Sequence, residues 1–252
     1  MLDFNHRSTL SERVVELIDN ALQQKANTQT PRDYLGASRL GVACDRALQF
    51  EYLKTPVDAD KQFSGRVLRI FAAGHVFETL AISWLRGAGF ELQTHDACGE
   101  QFGFAVVGGR LCGHIDGVLR SGPAALGFHY PALWECKSLN ARSWREVVKK
   151  GVVVAKPVYA AQVALYQAYM AQQIPGIAHN PALFFAINKD TAELHVELLP
   201  FNGKLAQRSS DRGVRILRAC DVHELLPRIS RDSAHIECKL CAWQQRCWSL
   251  AA

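Results

Sequence analysis

Four cysteines constrain this chain most, because they lie at opposite ends of it. Cys238, Cys241 and Cys247 have the spacing C-x2-C-x5-C in the run CKLCAWQQRC, and Cys44 lies near the start. Four thiolates are enough to hold one tetrahedral metal ion or one iron–sulphur cluster. A metal bound by all four would tie the two ends of the chain together. Because metal binding would close a long loop, it would contribute strongly to folding.

The composition is that of a globular protein of moderate charge. The chain has 252 residues, of which 48% are hydrophobic and 21% charged, so it can bury a sizeable core. A formal net charge of +5 permits a nucleic-acid partner without demanding one. The N-terminus MLDFNHRSTLSER lacks an apolar signal core, and no uninterrupted apolar run approaches the ~20 residues that span a bilayer. We therefore expect a cytoplasmic protein with no membrane partner, whose cysteines are free thiols or metal ligands.

The hydrophobic pattern predicts an α/β fold with a mixed central β-sheet flanked by helices. Helices are predicted at 9–25 (with Ser11 as N-cap), 39–53 (with Ser38 as N-cap and Cys44 in its first turns), 63–88, 141–150, 158–173 and 203–220, with a short helix among the last cysteines. Strands are predicted at 132–138, 183–188 and 193–199, after a hairpin of 101–107 and 110–120 around Gly108-Gly109.

Two carboxylates and a lysine form the candidate catalytic set. In the strand LWECKSL, Glu135 and Lys137 are two residues apart and share a face, while Cys136 points to the other side. Asp116, in GHIDGVL, can lie beside them if the two strands pair. Convergent carboxylates suit Mg²⁺ or Mn²⁺, which polarises a phosphodiester and activates water, and Lys137 could hold that water. E-x-K is common, however, and an exposed strand face with Asp116 in a turn is the alternative.

Two further patterns favour the catalytic interpretation. Gln162 and Tyr166 are four residues apart in PVYAAQVALYQAYM, so they share a helical face that could pack beside the centre. Glu78, in the pattern Gly74-x3-Glu78, offers a third acidic ligand, and His75 lies on the same helix. Each pattern alone also fits an ordinary helix, with aromatic core residues in the first and a solvent-facing histidine in the second.

Together these motifs resemble the PD-(D/E)XK nucleases of the RecB-like type, and most of all the single-chain iron–sulphur exonucleases of CRISPR systems and bacteriophages. The resemblance runs from about Ala37 to the C-terminus. It rests on the order of Cys44 in ASRLGVACDRALQFEYL, Gly74-x3-Glu78, Gly113-His114-Ile115-Asp116, Glu135-Cys136-Lys137, Gln162-x3-Tyr166 and the terminal C-x2-C-x5-C.

The resemblance implies a restriction-endonuclease-like core and a metal-dependent DNA exonuclease. Asp116, Glu135 and the main-chain carbonyl of Cys136 would bind Mg²⁺ or Mn²⁺, and Lys137 would act on the nucleophilic water. Gln162 and Tyr166 would support the centre and the DNA strand. Many members carry His where this chain has Glu78; related phage recombination exonucleases use Glu there, so Glu78 is the expected third ligand and His75 a weaker candidate.

The resemblance also implies a 4Fe–4S cluster held by Cys44, Cys238, Cys241 and Cys247. The ligand types alone fit a zinc ion equally well, so zinc is the lesser alternative for this site. The cluster would form a helical lobe that joins the two ends of the chain. The expected domains are therefore an N-terminal helical segment at 1–60, the nuclease core at 61–202 and a C-terminal helical segment at 203–252.

Basic residues near these motifs are candidate DNA contacts, because phosphate binding needs positive charge. They are Arg39, Arg46, Arg69, Arg142, Lys149 and Lys150. Phe63, Trp144 and Tyr159 could stack on unpaired bases, although each also fits a core position. The expected partners are DNA that is single-stranded or has a free end, and recombination or replication proteins in a bacterial cell or a phage-infected host. The sequence leaves the oligomeric state open.

Two other functions remain compatible with the sequence. One is a nucleic-acid-binding or assembly protein that kept the fold without catalysis. The complete set of Asp116, Glu135 and Lys137 argues against it, because a pure binder does not need these residues. The other is a structural zinc protein in which the E-x-K pattern is coincidental.

Overall fold

A computed structural model describes residues 8–250 of the chain. The strands are β1 (Leu35–Gly36), β2 (Glu91–Gln93), β3 (Gly103–Val106), β4 (Leu111–His114), β5 (Gly117–Ser121), β6 (Ala132–Leu139), β7 (Ala182–Asn188) and β8 (Leu194–Leu199). The helices are α1 (Leu10–Asn27), α2 (Asp45–Tyr52), α3 (Gly65–Gly87), α4 (Ala141–Lys150), α5 (Val152–Ala155), α6 (Pro157–Met170), α7 (Gly203–Asp221), α8 (Ile236–Lys239) and α9 (Gln244–Ser249).

The strands form two mixed sheets. The larger sheet has the order β2-β5-β6-β7-β8, in which β6 and β7 run parallel and the other neighbours antiparallel. The smaller sheet has the order β1-β4-β3, with β1 parallel to β4. The predicted α/β class, with a mixed sheet flanked by helices, is confirmed. The predicted iron–sulphur lobe and the three-part domain division stay predictions.

Strand β6 lies at the centre of the larger sheet and separates two apolar layers. Trp134 and Cys136 face a layer that includes Ala81 and Leu85 of α3. The alternate residues Leu133 and Leu139 face the main core, to which α6 and α7 contribute. This alternation follows from the two-residue period of a strand. Helix α3 therefore packs against one face of the sheet and α6 against the other.

Three local predictions need correction. Thr9, not Ser11, is the N-cap of α1: its hydroxyl accepts from the N–H of Glu12, and the Glu12 side chain accepts from the N–H of Thr9. Helix α2 begins at Asp45, after a separate 3-10 turn (Ala37–Arg39) that contains Ser38. Its N-cap is therefore Cys44, not Ser38, and Cys44 lies before the first turn. The segment expected as one strand at 110–120 divides into β4 and β5, which belong to different sheets.

Within residues 8–250, Ala59–Gly87 is long and apolar enough to cross a membrane, judged by length and composition alone. Its helix α3 packs against α1 and β6, although most of its side chains are exposed or half-buried. Because α3 also brings Glu78 towards the carboxylates of the sheet, we interpret it as a surface helix of this fold.

Candidate functional site

Asp116 lies at the break between β4 and β5, where the chain leaves one sheet for the other. Pairing of β5 with β6 ends at Gly117 and Trp134, which leaves Asp116 just beyond the ladder. Its Oδ2 accepts a hydrogen bond of 2.8 Å from the backbone N–H of Cys136. The break thus directs the carboxylate towards the middle of β6.

Glu135 and Lys137 extend from one face of β6. The Glu135 side chain is fully buried and the Lys137 side chain is 22% exposed, and the ammonium of Lys137 donates to Oε1 of Glu135. Oε2 of Glu135 is buried without a hydrogen-bond partner among the described residues. A buried carboxylate oxygen without a partner is costly unless a cation or water satisfies it.

Burial and neighbouring charge raise the pKa of two of the carboxylates, Glu135 and Glu78. Burial, followed by the charge of Asp116, raises the pKa of Glu135, and the ammonium of Lys137 opposes this shift. Burial and then Asp116 also raise the pKa of Glu78. Burial lowers the pKa of Lys137, but Glu135 and Asp116 outweigh it and leave that pKa raised. The site therefore concentrates negative charge that a divalent cation would relieve.

Gln162 and Tyr166 of α6 lie on the Glu135 side of the sheet. The Gln162 side chain is buried, and its Nε2 donates to Oε1 of Glu135 over 2.5 Å. Burial and then the charge of Glu135 raise the pKa of Tyr166, which hydrogen-bonds the Ser38 side chain. Tyr166 packs close to the backbone of Gly113: a Cβ at Gly113 would lie 2.8 Å from the Tyr166 ring. A side chain at 113 would thus displace Tyr166.

Glu78 and His75 lie on α3 at the mouth of the site. The Glu78 side chain is 32% exposed, whereas His75 is 85% exposed, with its Nδ1 4.0 Å from Oε2 of Glu78. Besides burial, Asp116 raises the pKa of Glu78, and Glu78 contributes to raising the pKa of Glu135, so the three carboxylates lie near one another. This geometry favours Glu78 over His75 as a third ligand.

Asp116 and Glu78 open into a groove with a volume of about 980 Å³. Its walls also include Lys137, Gln162 and Tyr166. Besides Lys137, five basic or potentially basic side chains line it, namely Arg32, Arg39, His75, His114 and Lys156. Sequence reasoning missed Arg32, because it precedes a two-residue strand with no recognisable motif. It also gave no role to His114, although this residue lies within the Gly113–Asp116 motif.

Most predicted DNA contacts lie away from this groove. Of the six, only Arg39 lines it. Arg69 is paired with Asp19, Arg142 lies 3.7 Å from Glu146, and Lys149 and Lys150 are exposed at the end of α4.

Arg46 requires a correction, because the structure buries it. It is 2% exposed, and its guanidinium donates to the carbonyl of Leu226 and, over 3.7 Å, to Sγ of Cys247. Arg46 therefore belongs to the surroundings of the cysteines and not to an exposed DNA surface.

The four cysteines expected as ligands line a second cavity of about 870 Å³. Burial, and then the nearby Cys44 and Cys247, raise the pKa of the Cys238 thiol, so these side chains are close enough to interact. All cysteines are free thiols. Among residues 8–250, no group of His, Cys, Asp or Glu side chains is already arranged as a metal site. The chain brings the four thiols together without placing them at ligand distances.

Hydrogen bonds join the loop between α2 and α3 to the terminal cysteine segment, residues 238–247. The buried carboxylate of Asp58 accepts from the backbone N–H of Gln245, at 2.6 Å, and of Arg246. The indole of Trp243 donates to the carbonyl of Thr55 over 2.8 Å, and Lys61 donates to the carbonyl of Lys239. These bonds attach the loop that precedes α3 to the terminal cysteine segment.

Comparison with known proteins identifies the fold. No protein-family model and no curated protein matches the sequence. The solved structure of SSO0001 is similar over 97% of this chain and 100% of its own length, with 14% identity and a TM-score of 0.51. The structure of an alkaline exonuclease, LHK-Exo from Laribacter hongkongensis, is similar over 77% of this chain and 91% of its own, with 15% identity and a TM-score of 0.51. The chain therefore shares its α/β fold with an exonuclease.

Proposed function

We propose that this protein is a metal-dependent deoxyribonuclease that acts as an exonuclease of the PD-(D/E)XK class. One observation carries the proposal: among the described residues, Oε2 of Glu135 is buried without a partner, and the same carboxylate contacts Lys137 and Gln162, which line a groove that also has basic side chains. A structural carboxylate in this position would normally be fully hydrogen-bonded. The likeness in fold to a protein described as an alkaline exonuclease supports the same conclusion.

The residues present fit a hard divalent cation. Glu135, Asp116 and Glu78 supply carboxylate oxygens, and the carbonyl of Cys136 is a candidate fourth ligand; such a set suits Mg²⁺ or Mn²⁺. When bound, the ion would polarise the phosphodiester and lower the pKa of water. Because Cys136 already donates its N–H to Asp116, its backbone is held where a carbonyl ligand would be needed.

The chain's own residues would then orient the reactants. Lys137 retains its proton because two carboxylates raise its pKa, so it can donate to the attacking water or offset charge on the phosphate. Gln162 holds Glu135 through Oε1, which leaves Oε2 for the cation. Tyr166 lines the groove together with Lys137 and Gln162.

The proposed substrate is DNA that is single-stranded or has a free end. Arg32, Arg39 and Lys156 line the groove and would bind phosphates. Recombination or replication proteins in the cytoplasm of a bacterial cell or a phage-infected host are the proposed partners and setting.

The cysteine cavity is the proposed site of a 4Fe–4S cluster, with zinc as the alternative. Its four thiols and the adjacent Arg46 guanidinium suit an anionic thiolate-bound centre.

The test is cleavage of end-labelled single- and double-stranded DNA with Mg²⁺, Mn²⁺ or EDTA. We expect metal-dependent release of nucleotides from one end, which Lys137→Ala abolishes. Asp211→Asn is the matched control, because Asp211 is an exposed residue on α7, outside the groove. Absence of cleavage with every metal, by protein that retains its cysteine-bound metal, would favour the non-catalytic binding protein.

A further inference from the structure

Two exposed phenylalanines lie where the groove meets the cysteine cavity. Phe63 is 61% exposed and Phe71 is 49% exposed, and their rings pack edge to face with centroids 5.2 Å apart. Phe71 lines both cavities, and Phe63 lines the cysteine cavity. Exposed neighbouring aromatic rings leave apolar surface that a planar ligand can cover.

The surroundings of this aromatic pair indicate an anionic partner. Arg32 and Arg39 line both cavities, as Phe71 does, and Glu237 is the acidic residue on the same shared wall. Lys61 adds a further positive charge beside Phe63. Arg39 is paired with Glu51 at 3.0 Å, but both side chains are partly exposed. Such a pair is weak, so a phosphate can compete for Arg39.

Helix α3 connects the aromatic pair to the carboxylates. Phe71 and Glu78 are seven residues apart, so they lie on one face of the helix and are separated by about 10 Å along its axis. That length corresponds to roughly three nucleotides at the 3.4 Å rise of a stacked strand, and to fewer when the strand is extended. A strand with its phosphate at the carboxylates would thus reach Phe71 with one of its first four bases.

We propose that Phe63 and Phe71 form a stacking site for an unpaired base of the DNA strand, with Arg32 and Arg39 binding the adjacent phosphates. The inference rests on the proposed function and specifies its substrate: a single strand that extends from the carboxylates towards the cysteine cavity. A base pair within a duplex has both faces stacked already, so duplex DNA gains little from these rings.

The test measures the affinity of the protein for a fluorescein-labelled thymidine oligonucleotide of eight nucleotides, by fluorescence anisotropy in EDTA. The variants are Phe63→Leu, Phe71→Leu and the double variant. Leucine keeps apolar volume and removes the ring. We expect each single variant to raise Kd about tenfold, a loss typical of one base stacked on an aromatic side chain. Phe71→Tyr should restore affinity, and Kd for a blunt duplex should change less than about twofold.

Trp84→Leu is the matched control, because Trp84 is a 40% exposed aromatic residue of the same helix that lies outside both cavities. It should bind the oligonucleotide as wild type does.

Unchanged oligonucleotide affinity in the double variant would overturn the proposal, as would an equal loss in Trp84→Leu. A shift from oligomer to monomer in sedimentation, with single-strand affinity unchanged, would instead assign the rings to an interface between copies. Cleavage by the wild-type protein is measured in a separate experiment. If the wild type cleaves DNA but the phenylalanine variants bind the oligonucleotide as the wild type does, only the stacking site is refuted. If the wild type does not cleave DNA, the proposed nuclease function is refuted.

Discussion

The carboxylate of Asp116 accepts from the backbone N–H of Cys136 over 2.8 Å, although the two residues are twenty positions apart. This bond joins the end of one strand to the centre of another at the point where the chain changes sheets. It aligns Asp116 with Glu135, the neighbour of Cys136 in β6. The proposed metal site thus depends on a backbone hydrogen bond as well as on side chains.

We predict that Asp116→Asn abolishes catalysis while leaving the fold intact. The Asn oxygen can still accept from the N–H of Cys136, but it supplies no negative charge to a cation. Cleavage should fall by about 100-fold or more, since charge stabilisation at the reacting centre is lost. The melting temperature should remain within a few degrees of wild type. Steady-state cleavage and thermal unfolding measure the two effects, and unchanged cleavage would remove Asp116 from the site.

Gln162→Leu should impair the site by releasing Glu135. Gln162 is buried and donates to Oε1, so the variant removes one of the two donors of a buried carboxylate. We expect weaker Mn²⁺ binding and a stability loss of about 1–3 kcal/mol, as for an unsatisfied buried acceptor. Calorimetric Mn²⁺ titration and denaturant unfolding test this. Gln207→Leu, at an exposed position of α7, should change neither quantity.

Metal affinity should increase with pH. Burial and the charge of Asp116 raise the pKa of Glu135 to about 8, so the metal-free site holds a proton that the cation must displace. Apparent Mn²⁺ affinity should rise about tenfold per pH unit up to about pH 8 and then level off. Calorimetric titration between pH 6 and pH 9 measures this, and a flat profile for the wild type contradicts it.

The same shift has an opposite effect on the stability of the metal-free protein. The unfolded chain releases the Glu135 proton near the ordinary pKa of 4.5, whereas the folded chain keeps it to higher pH. Stability should therefore fall as the pH rises from about 4.5 to 8. Glu135→Gln should flatten this dependence in EDTA, as measured by urea unfolding. A steeper dependence in the variant would show that another group is responsible.

Gly113→Ala should destabilise the protein. An added Cβ would lie 2.6 Å from the Phe104 ring and 2.8 Å from the Tyr166 ring. Both rings are buried, so overpacking should cost about 1–3 kcal/mol. Gly87→Ala is the control: its Cβ meets nothing within 4 Å, and in a helix alanine is favoured by up to about 1 kcal/mol. Thermal unfolding compares the two, and equal melting temperatures would refute the packing argument.

Cys247→Ser should lower the content of iron or zinc in purified protein. Cys247 lines the four-cysteine cavity and contacts the buried Arg46. Metal analysis after anaerobic purification should show loss of most bound metal, and visible absorbance distinguishes iron–sulphur from colourless zinc. Cys98→Ser is the control, because Cys98 is exposed and outside the cavity. Equal metal content in both variants would exclude the cysteine cavity as a metal site.

Sequence reasoning predicted which candidate residues lie on a common face better than it predicted their surroundings. The two-residue period of β6 placed Glu135 and Lys137 on one face, and the four-residue spacing placed Gln162 and Tyr166 together on α6. The division of 110–120 between two sheets was not predictable from its hydrophobic pattern, because β4 and β5 have the same strand period. Local pattern specifies an element, whereas long-range pairing decides which sheet it joins.

The same distinction explains why the burial of Arg46 and the exposure of Phe63 were not predicted. An arginine next to a cysteine motif and a phenylalanine before a long helix have ordinary local patterns. The burial of Arg46 depends on Leu226 and Cys247, which are distant in sequence. Phe63 lies just before α3, and its ring packs against the exposed ring of Phe71 rather than in the core. In neither case do the neighbouring residues in the sequence determine whether the side chain is buried or exposed.

The hydrogen bonds between residues 55–61 and the terminal cysteine segment have a consequence for protein synthesis. Every proposed ligand of the divalent cation lies before residue 137, but the residues that bind the loop leading into α3 include Lys239, Trp243 and Gln245. A ribosome makes these three residues after all of the proposed ligands. A chain released between residues 137 and 239 would therefore carry the proposed catalytic carboxylates without the bonds that hold the loop before the helix of Glu78.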